Sequence, residues 1–168
     1  MKNILFILLF FLSIACASNK SSQTIDCPPV FFASEHRAYI VSNKKEEINI
    51  ENLAVKVEIN NYQFNNTCIQ NNNIYTFPVD ILFIAYPFKI TSDLFDLPVY
   101  VALLDSSGEL IEIQYFSLPG NIKTDKESKE YIETEITKSI NVISSSSKKI
   151  SSLLIGFMLD KKKKDFLN

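Results

Sequence analysis

The sequence is short of the residues on which most catalytic and metal sites depend. Its 168 residues include one His, three Cys, three Gly and no Trp. A four-ligand zinc site would need the one His and all three Cys, and these residues do not have the spacing of a metal-binding cluster. No Gly-rich phosphate loop, HExxH motif or Gly-x-Ser-x-Gly motif occurs. We therefore expect no metal site, no cofactor and no catalytic residue.

An excess of charge of one sign is also lacking. The chain has 17 basic and 19 acidic residues, which gives a net charge of −2 at pH 7. This balance disfavours a nucleic-acid binder, because such proteins neutralise phosphates with a basic surface. The hydrophobic content of 46% is typical of a globular protein, and the length fits one ordinary domain.

Residues 1–15 have the layout of a secretory signal peptide. The amino terminus and Lys2 are positively charged, an apolar run follows from Ile4 to Leu12, and small residues come next. The apolar run is shorter than the roughly 20 residues that a membrane-spanning helix needs. An N-terminal anchor helix is the alternative to a cleaved leader.

The small residues after the apolar run allow two kinds of processing. Residues 12–16 (LSIAC) resemble the lipobox of bacterial lipoproteins, in which the Cys is diacylated and the chain is cut just before it. Residues 15–17 (ACA) also satisfy the small-x-small rule of ordinary signal peptidase. We favour a lipid on Cys16, followed by a flexible tether over residues 16–26, because residues 17–24 are small and polar.

Either kind of processing leaves Cys27 and Cys68 as an even pair. In an oxidising compartment such a pair usually forms a disulfide. The bridge would close a loop of about 40 residues, for which the chain-entropy model gives roughly 4 kcal/mol at most. Two buried free thiols are the alternative.

From residue 27 onward the hydrophobic pattern has a period of two, which predicts strands. Residues 53–59 alternate clearly, and Asn60-Asn61 predicts a tight turn after them. Pro78, inside the apolar run of residues 74–86, predicts an edge strand or a bulge. Residues 105–108 (DSSG) give the strongest hairpin signal, because Gly108 can adopt a positive φ.

The whole pattern predicts an all-β fold for residues 27–160. Seven or eight short strands without a convincing long helix favour an immunoglobulin-like antiparallel β-sandwich, with a small closed β-barrel as the alternative. Residues 132–143 fit strand or helix, and their Thr and Val content favours strand. Residues 161–168 are predicted as a solvated lysine-rich tail, or as a contact with anionic lipid head groups.

Two segments are candidates for a functional surface. Residues 83–97 are aromatic and apolar for a connection between strands, so Phe88, Leu94, Phe95 and Leu97 would form a partner-binding loop. The alternative is a loop that folds over the open end of the sandwich. The charged residues 35–37 (EHR) are interpreted as a solvated turn, not as a site.

The order of several motifs resembles a family of small, functionally uncharacterised lipoproteins from alphaproteobacteria. Residues 27–30 (CPPV) are similar to that family's Cys-Pro-x-Val start, and Cys68 follows the alternating strand of residues 53–59. The turn at residues 105–108 and the closing residues 153–168 (LLIGFMLDKKKKDFLN) also resemble the family. The likeness extends over nearly all of the chain after the leader.

The resemblance implies a lipidated envelope protein with a bridge between Cys27 and Cys68 and no known activity. By the sorting habit of many bacterial lipoproteins, Ala17 after Cys16 favours the outer membrane. We therefore expect a non-enzymatic protein that is anchored by its lipid, faces the periplasm, and supports an envelope structure or binds an envelope protein. A periplasmic binding protein for a small apolar ligand is the alternative.

Overall fold

A computed structural model describes residues 22–43 and 48–167. The predicted signal peptide, Cys16 and the first part of the tether lie outside the described residues. The described part contains ten strands, more than the seven or eight predicted. Their bounds are β1 Gln23–Ile25, β2 Val30–Phe32, β3 Ala38–Ser42, β4 Leu53–Phe64, β5 Cys68–Asn71, β6 Ile74–Pro87, β7 Leu94–Leu104, β8 Leu110–Asn121, β9 Thr134–Ser145 and β10 Ser152–Phe157.

The strands form two sheets, which we call sheet A and sheet B. The centre of sheet A is β6, which pairs with β9 on one side and with β4 and β5, end to end, on the other. β3 pairs with β4, and β1 pairs with β5. Sheet B has the order β2-β10-β7-β8, in which β10 and β2 are parallel and the other pairs are antiparallel. The sheets are not closed into a barrel, so the predicted all-β sandwich is confirmed over its barrel alternative.

The core lies between the two sheets and follows from strand alternation. Successive side chains of a strand point to opposite faces, so the odd-numbered residues of β6 from Tyr75 to Ala85 are buried. The odd-numbered residues of β7 from Leu97 to Leu103 are fully buried as well. Complete burial of one such side chain contributes about 1.5–3 kcal/mol. The largest fully buried side chains are Phe77, Phe83, Phe157, Ile40, Ile59, Ile81, Leu97, Leu103, Leu153, Ile155, Val55 and Val57.

The disulfide predicted between Cys27 and Cys68 is present, with Cα atoms 5.3 Å apart. Cys68 is fully buried and is the β5 partner of Ile25 in β1. The bridge and the β1–β5 ladder therefore both attach residues 23–27 to β5 of sheet A. The predicted tether over residues 16–26 is too long at its C-terminal end, because Gln23–Ile25 are already part of a sheet.

The predicted turn at Asn60-Asn61 is wrong, because β4 continues through these residues with a shift of register between Ile59 and Asn61. This bulge reverses the alternation along β4. Before the bulge the odd-numbered Ile59 points inwards, and after it the even-numbered Tyr62 does so. Arg37 stabilises the bulge, since its Nε donates to the Ile59 carbonyl at 2.9 Å and its Nη2 to the Asn60 carbonyl at 3.5 Å.

The expectation that Pro78 occupies an edge strand or a bulge is also wrong, because β6 is the central strand of sheet A. On one side of β6, pairing with β4 ends at Val79 and pairing with β5 begins at Thr76. The Pro78 carbonyl accepts a hydrogen bond from the Asn65 N–H at 3.2 Å, in the connection between β4 and β5. An N–H at position 78 would point to the same side, where β6 has no strand partner between the ends of β4 and β5. Its absence in Pro78 therefore costs no hydrogen bond of the sheet.

The predicted hairpin at residues 105–108 is confirmed and joins β7 to β8, with Gly108 at φ +82°. The Asp105 Oδ1 accepts hydrogen bonds from the Ser107 hydroxyl at 2.6 Å and from the Ser107 and Glu109 N–H groups at 2.9 and 3.0 Å. The Ser107 hydroxyl makes the largest contribution to lowering the pKa of Asp105 to about 2. The ionised carboxylate thus closes the turn.

The lysine-rich C-terminal segment, predicted as a solvated tail, forms a docked helix, α1, over Lys161–Leu167. Lys163 Nζ donates to the Tyr39 hydroxyl at 2.7 Å and lies 4.3 Å from the centroid of the Tyr39 ring. Lys164 Nζ lies 2.6 Å from the Glu35 carboxylate. The helix is therefore attached to the domain instead of being a free tail. The predicted strand over residues 132–143 is confirmed as part of β9.

Candidate interaction surface

The outer face of sheet B is built by the residues that alternate with the core residues of its strands. Because Val101 and Leu103 point inwards, Ala102 points outwards. The strand register then places one residue of each strand in a single row across this face. The row runs from Phe31 in β2 through Leu154 in β10 and Ala102 in β7 to Ile113 in β8.

A second row lies beside the first. Tyr100 of β7 pairs with Gly156 of β10 on one side and with Tyr115 of β8 on the other. A Cβ atom on Gly156 would lie 2.7 Å from the Tyr100 hydroxyl, so the Tyr100 side chain covers this glycine. The Tyr100 ring also meets the His36 ring edge-on, with centroids 5.7 Å apart. Burial raises the pKa of the Tyr100 phenol above its usual value.

The two rows form a patch that we call the apolar face. It consists of Phe31, Tyr100, Ala102, Ile113, Tyr115 and Leu154. Phe31 and Tyr115, on the outer strands, are 56% and 64% exposed, whereas Ala102 in the middle is only 5% exposed. The most exposed side chains of the apolar face therefore lie on its outer strands, and its least exposed residue, Ala102, lies on β7 beside Tyr100.

Charge is nearly missing from the outward positions of sheet B. Among the outward residues of its described strands, Asp96 in β7 is the one charged residue, and it lies towards one end of the sheet. The outer face of sheet A is different, since Lys56 and Glu58 form an ion pair at 2.7 Å there and Asp80 and Glu135 also point outwards. The two outer faces thus have different chemistry.

Side-chain hydrogen bonds join the edge of β8 to the edge of β9. Glu112 and Gln114 of β8 point towards the interior, opposite Leu103 and Val101. Gln114 Nε2 donates to the Ile143 carbonyl at 2.8 Å, and the buried Ser144 hydroxyl donates to the Glu112 carboxylate at 2.5 Å. These side-chain bonds hold two edge strands of different sheets beside each other, and one of them occupies a backbone carbonyl of β9.

The segment predicted as a partner-binding loop is a loop only between β6 and β7, over residues 88–93. Phe88 lies there and is exposed, and Leu94 begins β7 as an exposed outward residue. Phe95 packs over Gly120 and against the core. Leu97 is fully buried, so it cannot contact a partner. The four residues therefore do not form one surface.

The charged residues 35–37 lie in the turn predicted between β2 and β3, where Ser34–His36 form one 3₁₀ turn. His36 Nδ1 lies 3.0 Å from the Phe157 carbonyl oxygen. The hydrogen bond and the charge of Lys164 lower the pKa of Glu35. Together with Arg37 on the β4 bulge, these side chains join separate elements. Glu35 and Arg37 line one surface depression with Lys56 and Glu58, and His36 is not part of its lining.

A polar cluster around Asp80 lies on the outer face of sheet A. The Asp80 carboxylate accepts hydrogen bonds from the Ser139 hydroxyl at 2.6 Å, from Asn65 Nδ2 at 2.6 Å and from Gln63 Nε2 at 3.1 Å. These donors, the Ser139 hydroxyl first, hold the pKa of Asp80 below its usual range. Gln63, Asp80 and Ser139 are direct neighbours across β4, β6 and β9. The cluster therefore ties three strands together.

Phe31, Ile113 and Tyr115 were not predicted as candidate residues, although the sequence carries a signal for the apolar face. Residues 97–104 (LPVYVALL) are apolar or aromatic at nearly every position. Such a run indicates a strand with apolar residues on both faces, whereas a strand with one wet face alternates. The position of Phe31 beside this strand depends on the parallel β2–β10 pairing, which no local pattern predicts.

No helix of the described residues is both long and apolar enough to cross a membrane. Residues 22–43 and 48–167 also contain no group of three or more His, Cys, Asp or Glu placed to hold a metal ion. Comparison of the chain with protein-family models, with curated proteins and with solved structures finds no match.

Proposed function

We propose that this protein is a non-enzymatic, lipid-anchored component of the bacterial envelope that binds another envelope protein through the apolar face of sheet B. In this proposal Cys16 carries the lipid and the domain faces the periplasm, on the outer membrane. The leader sequence and the lipobox support the anchor. The Cys27–Cys68 bridge fits an exported protein, because disulfides persist in oxidising compartments.

The observation that carries the binding role is the exposed and nearly uncharged apolar face. The largest contiguous apolar patch on a soluble monomer typically covers a few hundred Å² and is often functional. Here the outer face of sheet B combines exposed Phe31, Ile113 and Tyr115 with a single outward charge, Asp96. The outer face of sheet A also exposes Ile69, Ile74 and Ile143, but it carries several charged side chains as well, among them Lys56, Glu58 and Asp80.

The anchor would also fix where the binding takes place. Gln23, at the start of β1, lies seven positions after Cys16. At 3.3–3.6 Å per residue this stretch spans at most about 25 Å. A lipid on Cys16 therefore keeps the domain next to the membrane, where its partner would also be found.

Mass spectrometry of the mature amino terminus tests the anchor. We expect diacylglycerol on Cys16 and recovery of the protein in the membrane fraction. A Cys16→Ser variant serves as the control and should be found in the soluble fraction or remain unprocessed. An unmodified mature chain that begins at Ser18 would contradict the anchor.

Affinity purification from crosslinked envelopes tests the binding role. Tagged wild-type protein is expected to recover the same envelope protein in repeated experiments, and a tagged unrelated lipoprotein on the same membrane should not recover it. If both proteins recover the same background, the binding role is wrong.

Nothing in the described residues favours the alternative of a carrier for a small apolar ligand. The space between the sheets is filled by large side chains, among them Phe77, Phe83 and Phe157. A surface depression of about 650 Å³ lies beside β9 and includes Lys123, Lys126 and other polar residues in its lining. This lining suits water better than an apolar molecule.

A further inference from the structure

We propose that the Cys27–Cys68 bridge sets the length of the lipid tether, and that its reduction by a dithiol releases β1 and lets the domain reach further from the membrane. This inference rests on the proposed function, because it takes the lipid on Cys16 as the fixed point of the chain. Three observations carry it: the place where the tether enters the domain, the few contacts that hold β1 apart from the bridge, and the exposure of Cys27.

The tether enters the domain at one end of the sandwich, which we call the anchored end. Gln23 lies there, because its β5 partner Gln70 pairs in turn with Tyr75 near the start of β6. The β9–β10 connection lies at the same end, since the Ser146 N–H donates to the Asn73 carbonyl at 2.9 Å. The chain that leads to the lipid therefore leaves the domain beside the β5–β6 and β9–β10 connections.

The apolar face lies close to the anchored end. Leu104, the last residue of β7, is at this end, because its carbonyl accepts a hydrogen bond from the Ser151 N–H of the β9–β10 connection at 2.8 Å. Ala102 and Tyr100 lie two and four positions before Leu104, about 7 and 13 Å away at 3.3 Å per residue. The length of the tether therefore limits how far from the membrane the apolar face can lie.

Apart from the bridge, few contacts hold β1. It has three residues, and within the described part of the chain it pairs on one side only, with β5. Gln23 and Thr24 are exposed, and Ile25 is the β1 side chain that packs against the core. Segments with so little buried apolar surface are the first to open locally. We therefore expect β1 to separate from β5 when the bridge is reduced.

The chain is held again from Pro28 onward, without help from the bridge. Pro28 is buried, and the Pro29 carbonyl accepts a hydrogen bond from the Leu153 N–H at 3.0 Å, near the start of β10. Pro28 lies 12 positions after Cys16, whereas the start of β1 lies seven positions after it. At 3.3–3.6 Å per residue, release of β1 increases the longest reach from about 25 Å to about 43 Å.

The two cysteines of the bridge differ in exposure. Cys68 is fully buried and Cys27 is partly exposed, so Cys27 Sγ is the atom that a thiolate attacks. The S–S bond breaks, Cys68 leaves as a thiolate and takes up a proton, and the second thiol of the dithiol then displaces Cys27, which is protonated in turn. The dithiol is oxidised to a disulfide, and two electrons and two protons pass to the bridge.

Hydrogen exchange followed by mass spectrometry tests the release of β1. The lipoprotein, with its lipid confirmed beforehand, is measured in detergent before and after treatment with dithiothreitol. We expect the amides of Gln23–Ile25 to exchange at least tenfold faster after reduction, while those of β10 keep their protection. The matched control, Cys27→Ala/Cys68→Ala, should show the fast exchange with and without dithiothreitol.

Two results of the exchange measurement would overturn the proposal. One is continued protection of Gln23–Ile25 in the reduced protein, because β1 would then stay on β5 without the bridge. The other is an equal loss of protection in β1 and β10, because the bridge would then hold the whole domain together instead of setting the tether.

Energy transfer to a bilayer tests the longer reach. A fluorescent donor is attached to Ser106→p-azidophenylalanine, at an exposed position of the β7–β8 turn, and acceptor dyes are carried by vesicles of phosphatidylethanolamine and phosphatidylglycerol. We expect dithiothreitol to lower the transfer to the value that Cys27→Ala/Cys68→Ala shows with and without it. Transfer that does not change on reduction would overturn the longer reach while leaving the anchor intact. Failure of the unreduced protein to bind the vesicles would overturn the anchor, and this inference with it.

Discussion

Arg37 is the only Arg in the chain, and it is used to hold a bulge. Its guanidinium donates to two carbonyl groups where β4 shifts register. Asp105 has a similar part at the β7–β8 turn, where one carboxylate oxygen accepts three hydrogen bonds. At the residue scale, these charged side chains satisfy backbone groups where the ladders are interrupted, which explains why the charges found by sequence inspection do not gather into a reactive site.

The charge of Asp105 makes the hairpin sensitive to acid. The pKa of Asp105 is about 2 in the folded protein, compared with about 3.9 in an unfolded chain. A lowered pKa stabilises the fold above pH 4, and this stabilisation is lost as the pH falls from about 4 to 2. We expect Asp105→Asn to lower the melting temperature at pH 7 and the difference from wild type to narrow across that range.

Thermal unfolding followed by circular dichroism at several pH values measures this effect. Ser107→Ala removes the hydroxyl that lowers the pKa of Asp105 most, so its acid transition should begin at a higher pH than that of wild type. A difference between Asp105→Asn and wild type that stays constant from pH 7 to pH 2 would contradict the role given to the carboxylate.

The Phe95 side chain lies close to the backbone of Gly120, and a substitution at Gly120 tests this contact. A Cβ atom at Gly120 would lie 2.6 Å from Cζ and 2.8 Å from Cδ2 of Phe95, its partner across β7 and β8. We expect Gly120→Ala to lower the free energy of unfolding by about 1–3 kcal/mol, the usual cost of overpacking. Urea denaturation measures it.

Phe95→Leu provides the control for the Gly120 prediction. If the Phe95 ring is what the new methyl group meets, the loss in the double variant should be smaller than the sum of the two single losses. Strictly additive losses would show that Phe95 is not the obstacle.

At the element scale, the strands with an undisturbed alternation were the predictable ones. The β7–β8 hairpin and the strand that became β9 were predicted because their patterns are local. The bulge in β4 was read as a turn, since Asn60-Asn61 breaks the alternation in the same way that a turn does. Pro78 was misplaced because its tolerance depends on β4 and β5 sharing one side of β6, which is a tertiary arrangement.

The candidate surface could likewise be predicted only as far as local sequence patterns allow. The apolar run of β7 is visible in the sequence, but it does not reveal which of its two apolar faces is covered. The segment predicted as a loop includes Leu97, which is buried, and Leu94, which is exposed on the outer face. Only the strand order of sheet B brings Phe31 and Tyr115 to opposite rims of one patch.

The Cys27–Cys68 bridge is the element with the largest expected effect on stability. It joins residues 41 positions apart and holds β1 next to β5. We expect the double variant Cys27→Ala/Cys68→Ala to be less stable by about 2–4 kcal/mol, since the reduced chain has more conformational freedom when unfolded. Urea unfolding without reductant measures the difference. Wild type with reductant should approach the variant, and equal midpoints for variant and oxidised wild type would contradict the prediction.

At the scale of the whole molecule, the two outer faces of the sandwich differ in the side chains that they expose. Sheet A presents charged and polar side chains to solvent, including the hydrogen-bonded cluster around Asp80. Sheet B presents the apolar face, and side-chain bonds hold its β8 edge beside β9. In the proposed function the lipid on Cys16 holds this asymmetric domain near the membrane, so that the outer face of sheet B is the part that meets the partner.

The most direct test compares matched substitutions on the two faces in the envelope purification. Ile113→Ser/Tyr115→Ser alters the outer face of sheet B, and Ile143→Ser alters that of sheet A at a 55% exposed residue. We expect the first variant to lose at least nine-tenths of the recovered partner while keeping its lipid and its melting transition, and Ile143→Ser to recover as much as wild type. Full recovery by Ile113→Ser/Tyr115→Ser, or loss of the partner from Ile143→Ser, would contradict binding through the apolar face.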